Sequence, residues 1–419
     1  MSSKFERLDK NDYLNQSFFK SDKKNNKYRE EDIRLLLPFS DLDGWIYEDE
    51  QISKTSEIFA KQISRLSQIH CLSFIMYIDN NIDPKDQYFY RPDHTRDGHT
   101  HLVAGTGAAI LTENNISDLE IKKYIAGGYL HDLATPALGD TTKFIDNGNL
   151  HEELFWQEML DEKSRDYLKK IPVTIKEIDS IIKNEGMLGE ILDIADRITY
   201  VCQDLYNLSP IPKKDLSKTK DLKNKLSKFL LINPNIGDIY KDVRIENNEV
   251  YFNNVDRLHN FLYVRALLHK QVYLHPINQG RDFVVASKIK EFYNKDTEDT
   301  LTPTNLRQMD DFTLINYLAD KNKVSKYMLE SLFDQWKPDH YEKFNDLESA
   351  QRRSKELEKA NQKVFGIKEC RGFNPATKYK VKDESGNIVS YHDYNPQGAA
   401  VIEKIAKRTK GFFLFTKND

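Results

Sequence analysis

Cysteine is scarce in this chain of 419 residues, which contains only three. Cys71, Cys202 and Cys370 stand far apart, and no two of them form a Cys-x-x-Cys pair. Disulfide-stapled domains and thiolate zinc sites need paired or clustered cysteines, so the sequence argues against both. Thiols spaced in this way are typical of a protein that works in a reducing cytoplasm.

Long apolar runs and an excess of one charge are also missing. No window approaches the ~18 apolar residues that a membrane-spanning helix requires, and the N-terminus has no apolar segment typical of a secretory signal. The formal net charge is −4, which argues against obligate nucleic-acid binding, although 62 lysines and arginines are enough for a local basic cleft. We expect a cytoplasmic protein outside the membrane that binds small anions, with nucleic acid as a partner that the sequence does not indicate.

Three regions differ in composition. Residues 1 to 34 are dense in Lys, Asn, Asp and Glu, which predicts a polar N-terminal arm. From 35 to 345, apolar residues recur at helical spacing, which predicts a large α-helical body. Residues 346 to 419 begin with a polar, helix-prone connector. Alternating runs around the sequence ESGN, followed by a helix from Pro396 to Arg408, then predict a small α+β lobe. The expected fold class is mainly α, a helical bundle with a small C-terminal α+β lobe.

Two closely packed helices are predicted around residues 99 to 132. Ser117 is followed three residues later by Glu120, a capping box typical of a helix start, and this helix should end at His131 and Asp132. The segment before it contains five small residues: Ala104, Gly105, Gly107, Ala108 and Ala109. Small side chains let two helix backbones approach closely, so we expect these helices to be in tight contact.

The strongest chemical signal is an ordered set of histidines and aspartates on apolar helical segments. Its members are His99, the pair His131 and Asp132, and Asp196. This order is the signature of the HD superfamily of phosphohydrolases. Two imidazoles and two carboxylates form a mixed N/O site that suits a divalent Mn, Fe, Mg, Zn, Co or Ni ion without selecting among them.

A simpler interpretation is that His99 lies at a solvated helix start and that Asp196 pairs with Arg197 on the surface. Asp196 lies in the apolar run ILDIADRITYV, where an unpaired carboxylate would be costly to bury, and this favours the metal site.

Two polar stripes run along otherwise apolar helices. Asp196, Tyr200 and Asp204 are spaced four apart, and so are Arg265, His269 and Tyr273, so each set shares one helix face. The alternative is an amphipathic helix with an ordinary polar face. Because the second stripe lies among leucines and valines, a lined pocket explains it more simply.

These motifs give the chain a resemblance to the deoxynucleoside triphosphate triphosphohydrolases, the bacterial dGTPases and their vertebrate relatives with a sterile-alpha motif. The family's motifs are matched in order by DLDG, RLSQIHCLS, RDGHTHLVA, HDLATPALGD, HEE, DRITYVCQD and RALLHKQVY, between residues 41 and 273. The resemblance implies an HD-domain bundle that hydrolyses dNTPs at the α-phosphorus to a deoxynucleoside and inorganic triphosphate. It also implies a homo-oligomer, nucleotide effectors, and Mg²⁺ bound with the substrate phosphates.

The resemblance further implies roles for individual residues. Arg96 and Arg197 would bind phosphates. Substrate contacts would come from Leu72, Tyr200, Asp204, Arg265, His269 and Tyr273. Tyr273 would crowd the 2′ position of the sugar, which is how this family prefers deoxyribose.

The chain departs from the family where the phosphates and the proton donor are expected. Thr135 and Asp140 stand where the family has histidines, so the candidates for acid catalysis are His151 and a buried Asp140, with Arg96 beside them. Two alternatives follow: an HD phosphodiesterase or nuclease acting on oligonucleotides or cyclic nucleotides, and a nucleotide sensor with little turnover.

Overall fold

The computed structural model describes residues 54–55, 58–59, 96–143, 145, 150, 152–208, 236–293, 301–321, 338 and 340–417. Its helices, in chain order, are α1 (Arg96–Glu113), α2 (Asp118–Leu130), α3 (Asp140–Lys143), α4 (Glu162–Leu168), α5 (Ile175–Ile182), α6 (Gly186–Leu208), α7 (Val255–Leu268), α8 (Pro276–Phe292), α9 (Pro303–Gln308), α10 (Asp311–Lys321), α11 (Leu347–Lys359), α12 (Tyr391–Tyr394) and α13 (Pro396–Arg408). Short 3-10 turns span Glu152–Leu154, Trp156–Met159 and Ile236–Asp242, and a π-helical turn spans His269–Tyr273. The strands are β1 (Val243–Glu246), β2 (Glu249–Phe252), β3 (His340–Phe344), β4 (Lys363–Cys370), β5 (Lys380–Lys382), β6 (Ile388–Ser390) and β7 (Gly411–Lys417).

The expected fold class is confirmed: a helical body carries a small α+β lobe near the C-terminus. A hydrophobic core joins α1, α2, α5, α6 and α7 and extends to α13 of the lobe through Ala399 and Ile402. A second core lies under the segment that follows His131 and Asp132, and there α8, α9 and α10 pack together. No helix within the described ranges has both the length and the apolar character needed to cross a membrane.

Close packing of α1 against α2 is confirmed at two glycines. A Cβ added to Gly107 would lie 1.9 Å from Cζ of Tyr124, whose ring is fully buried. A Cβ on Gly128 would lie 3.2 Å from the Cα of Ala104. The start of α2 is confirmed as well, since the Ser117 side chain accepts a hydrogen bond from the Glu120 amide.

The sheets connect the lobe to the body. In the first, the order is β1-β2-β5-β6, and β2 of the body lies parallel to β5 of the lobe. In the second, β7 lies between β3 and β4 and is antiparallel to both. The predicted hairpin at ESGN is the β5–β6 pair, and the predicted helix from Pro396 to Arg408 is α13. The β1–β2 hairpin was not predicted, and its turn places Asn247 and Asn248 at φ of 51° and 65°.

Candidate metal centre and adjoining pocket

Three helices bring the four predicted ligands together. His99 lies on the first turn of α1, His131 and Asp132 follow directly after α2, and Asp196 lies in the middle of α6. One ligand atom from each of His99, His131 and Asp132 lies within 4.8 Å of the other two. The Nε2 atom of His99 is 2.9 Å from Oδ1 of Asp196. His99, His131 and Asp132 therefore form one cluster, and Asp196 contacts that cluster through His99.

Both imidazoles are oriented with Nε2 toward that cluster. Nδ1 of His99 lies 3.1 Å from Oε1 of Gln203, and Nδ1 of His131 lies 2.6 Å from the backbone oxygen of Gly128. Carbonyl oxygens only accept hydrogen bonds, so each Nδ1 carries the proton that it donates. In a neutral ring this leaves the lone pair on Nε2, which is the atom that binds metals.

Two further features fit a cation at this cluster. Nε2 of His131 is buried and has no hydrogen-bond partner among the described residues. The facing Nε2 of His99 and Oδ1 of Asp196 would both present lone pairs at 2.9 Å, so a proton or a metal ion must lie between them. A divalent cation would satisfy His99, His131 and Asp132 together, and the neighbouring carboxylate of Asp196 adds a donor of the same mixed N/O kind.

Asp132 is the most heavily contacted ligand. Nη1 of Arg96 lies 2.7 Å from its Oδ2, and both side chains are only 7% exposed. The hydroxyl of Thr135 donates to Oδ1 of Asp132 over 3.3 Å. Thr135 thus orients the carboxyl group of Asp132. Arg96, expected to bind phosphate, instead pairs with Asp132 beside the candidate metal ligands.

The side chain of Asp196 is 36% exposed, against 7% for Asp132. Desolvation opposes its ionisation, but the hydrogen bond to His99, with a proton held between the two side chains, outweighs that effect and lowers the pKa of Asp196. The carboxylate form, which binds metals, is favoured.

The two predicted polar stripes contact each other directly next to Asp196. Nε of Arg265 donates to Oη of Tyr200 over 2.5 Å, and the same oxygen lies 3.3 Å from Nε2 of His269. The hydroxyl of Tyr273 donates to Oδ2 of Asp204. The stripe residues of α6 and of the α7 segment therefore form one hydrogen-bonded wall next to Asp196, and His269 and Tyr273 lie within the π-helical turn.

Burial changes the protonation of this wall. It raises the pKa of Asp204 to about 7, although the hydrogen bond from Tyr273 acts in the opposite direction. Burial, together with the positive charges of Arg265 and Arg197, lowers the pKa of His269 well below its ordinary value. His269 is therefore a neutral imidazole at physiological pH.

A segment of the C-terminal lobe lies against the same wall, which the sequence did not indicate. The ring of Phe373 stacks on His269 with centroids 4.3 Å apart and planes 5° apart. Nη1 of Arg265 donates to the backbone oxygen of Asn374 over 2.6 Å. Gln203 was also missed, but it carried a signal, because seven residues after Asp196 it lies on the same side of α6.

Arg197 points along α6 toward a cleft. Its Nε donates to Oδ1 of Asp193 over 2.9 Å, and its guanidinium lies 5.6 Å from the ring centre of Tyr379. The cleft has a volume of about 440 Å³. Its lining combines four charged residues with amides and a buried tyrosine: Glu190, Asp193, Arg197, Lys378, Asn184, Asn248, Asn374 and Tyr379.

Of the two expected proton donors, only Asp140 lies within the described residues. Asp140 starts α3 and is exposed, so the buried setting that this role requires is absent there. His151 and Leu72 lie outside the described residues.

Comparison with known proteins gave structural likenesses only. No family model and no curated protein matches the sequence. A phosphohydrolase from Bacteroides thetaiotaomicron is similar in structure, with a TM-score of 0.60, 15% identity, and coverage of 88% of this chain and 96% of that one. A hypothetical protein from Aquifex aeolicus has a TM-score of 0.59, 16% identity, and coverage of 88% and 92%. At such identities the likeness shows the fold alone.

Proposed function

We propose that this protein is a metal-dependent phosphohydrolase that cleaves dNTPs at the α-phosphorus and releases inorganic triphosphate. The observation that carries the proposal is the cluster of His99, His131 and Asp132, with Asp196 against His99, beside the wall formed by α6 and α7. The structural likeness to a phosphohydrolase supports the general reaction class. The choice of dNTPs depends on the resemblance of the motifs.

The reaction joins a water oxygen to the α-phosphorus and breaks the bond from that phosphorus to O5′ of the sugar. O5′ takes up a proton, so the products are a deoxynucleoside and triphosphate. A divalent cation at the four ligands would supply Lewis-acid activation of the phosphate. Arg265 and Arg197 would bind the phosphate oxygens, because guanidinium groups match phosphate geometry.

The sugar would lie against Tyr200, Asp204 and Tyr273. Tyr273 is held by its hydrogen bond to Asp204, so its ring is fixed rather than free to move aside. A fixed ring at the 2′ carbon leaves no room for a hydroxyl, which would select deoxyribose. His269, being neutral, can accept a hydrogen bond as well as donate one.

The test is product identity. The purified protein is incubated with each dNTP and each NTP, in separate reactions with Mn²⁺, Fe²⁺, Mg²⁺, Zn²⁺, Co²⁺ and Ni²⁺. The expected products are inorganic triphosphate and the matching deoxynucleoside, with Asp132→Asn inactive. Release of nucleoside monophosphate, or of phosphate one group at a time, rules the proposal out and favours the phosphodiesterase or nuclease alternative.

A second candidate is a dNTP sensor with slow turnover. It is favoured by Thr135, whose hydroxyl lies on Asp132 where the family has an imidazole, and by the exposure of Asp140. Equilibrium binding of dGTP without product formation under all six metals would support this role over hydrolysis.

Assembly is part of the proposal. A homo-oligomer that binds nucleotide effectors should change its elution volume in size-exclusion chromatography when a dNTP mixture is added. An unchanged elution volume at every protein concentration removes this element of the proposal.

A further inference from the structure

Two arginines and a histidine, Arg197, Arg265 and His269, are each contacted by one segment of the C-terminal lobe, residues 373 to 379. His269 is stacked on Phe373, Arg265 donates to the Asn374 carbonyl, and Arg197 lies over the ring of Tyr379. These basic side chains come from two different helical segments of the body. The segment that contacts them is distant in the chain, with Asn374 lying 109 positions after Arg265.

The stack on Phe373 fixes the plane of His269. Two rings whose planes differ by 5° at 4.3 Å are in full face contact, so rotation of the imidazole would break that contact. In this plane Nε2 points at Oη of Tyr200, 3.3 Å away. The Arg265 guanidinium also lies 5.6 Å from the Phe373 ring centre, so one ring contacts two of the three side chains.

Arg265 is held at two points. Its Nε donates to Tyr200 and its Nη1 donates to the Asn374 oxygen, which fixes both the direction and the tilt of the guanidinium plane. A planar guanidinium binds two phosphate oxygens side by side only when its plane is set correctly.

Arg197 is held through a relay. Oδ1 of Asp193 accepts from Nε of Arg197, while Oδ2 of the same carboxylate accepts from Oη of Tyr379 over 2.9 Å. Tyr379 therefore fixes the carboxylate and also lies beneath the guanidinium. Nη1 of Arg197 is buried and has no hydrogen-bond partner within the described part of the chain, so this nitrogen is left for a ligand.

Ordinary packing does not explain the first two contacts well, because Phe373 is only partly buried and Asn374 is exposed. We infer that residues 373 to 379 position the three basic side chains for a phosphate chain, and that Phe373 and Tyr379 are positioning residues of the site. The choice of a phosphate chain as the ligand rests on the proposed function, whereas the contacts of residues 373 to 379 do not. It predicts that changes in this segment weaken phosphate binding and leave the metal centre intact.

The test compares Phe373→Leu, Phe373→Tyr and Tyr379→Phe with Phe412→Leu, a partly buried phenylalanine on β7 of the same lobe. The probe is inorganic triphosphate, titrated into the manganese-loaded full chain by calorimetry. Phe373→Leu should weaken triphosphate binding about three- to tenfold. Phe373→Tyr, which keeps an aromatic ring, and Phe412→Leu should both bind triphosphate like the wild type. Tyr379→Phe should weaken binding because the carboxylate of Asp193 loses its second anchor.

Activity supplies a second readout. With dNTP substrates, Phe373→Leu should raise KM by a similar factor and change kcat less than twofold, while manganese affinity stays at the wild-type value. Equal triphosphate affinity in Phe373→Leu and the wild type overturns the inference, as does equal weakening in Phe412→Leu. If Phe373→Leu does not fold, Tyr379→Phe decides alone.

The two proposals fail separately. A wild-type protein that releases no triphosphate from any dNTP, yet binds inorganic triphosphate in a way that Phe373→Leu weakens, contradicts the proposed reaction and supports the positioning role. A wild-type protein that hydrolyses dNTPs but binds no inorganic triphosphate supports the proposed reaction and contradicts the positioning role.

Discussion

The Nδ1 atom of His99 lies 3.1 Å from Oε1 of Gln203, on the same helix that supplies Asp196. One helix therefore contributes both a candidate ligand and the group that orients another candidate ligand. Hydrogen bonds of this kind fix the tautomer and the ring direction of metal-binding histidines.

Replacing Gln203 by Leu should weaken metal binding about 10- to 100-fold, because His99 loses the acceptor that holds its ring. The measurement is a competition titration of Mn²⁺ and Zn²⁺ against a fluorescent chelator. Gln203→Glu keeps an acceptor oxygen at the same place and should bind at least as tightly as the wild type. Equal affinities in the Leu and Glu variants would contradict this role.

Removing Arg96 should destabilise the metal-free protein more than the metal-loaded one. Arg96→Ala leaves the buried Asp132 carboxylate without its charge partner, which costs about 3–5 kcal/mol of unfolding free energy. A bound divalent cation supplies the missing positive charge and should recover much of that loss. Urea unfolding with and without Mn²⁺ measures both values.

Arg353→Ala, which removes the half-exposed partner of Glu342, should show little change and no metal dependence. A loss in Arg96→Ala that is the same in both conditions argues against Asp132 as a ligand.

Tyr273→Ala should relax discrimination between dNTPs and NTPs by at least about tenfold in the ratio of kcat/KM, because the ring that crowds the 2′ position is gone. The Tyr263→Ala variant changes a tyrosine on α7 that does not belong to the wall, and its ratio should stay near the wild-type value. A ratio unchanged in Tyr273→Ala would mean that the sugar lies elsewhere.

Stability should depend on pH through Asp204. Its pKa rises from 3.8 to about 7 on folding because the carboxyl is buried, so the folded state favours the protonated form. That contribution is complete below pH 4 and is lost as the pH rises to 7. Asp204→Asn does not titrate, and its unfolding free energy relative to the wild type should increase over this window by on the order of 4 kcal/mol. Asp282, with a pKa of about 6, changes both proteins alike and cancels from the difference. Parallel pH profiles for the two proteins would show that Asp204 is not perturbed.

Local signals explain which parts of this fold could be predicted from sequence. The Ser117 cap and the Pro396–Arg408 helix depend on residues a few positions apart, and the order His99, His131, Asp132, Asp196 is a motif in itself. The β1–β2 hairpin had a signal too, since Asn247-Asn248 separates two alternating runs and asparagine tolerates positive φ.

Other features had no local signal. The bond from Arg265 to the Asn374 oxygen spans 109 positions and involves a backbone atom, which every residue type has. The stack of Phe373 on His269 likewise depends on where the lobe lies. The exposure of Asp140 follows from its position at the first residue of α3, which the spacing of the HD motif does not specify.

The imidazoles of the two candidate ligands His99 and His131 differ in how mutation can affect their hydrogen bonds. Nδ1 of His99 donates to a side chain, which a single codon change can replace, whereas Nδ1 of His131 donates to the backbone oxygen of Gly128, which every amino acid carries. Substitutions at Gln203, in evolution or in the laboratory, can therefore change the metal affinity in small steps. The hydrogen bond of His131 does not depend on which side chain stands at position 128, so only a shift of α2 could alter it.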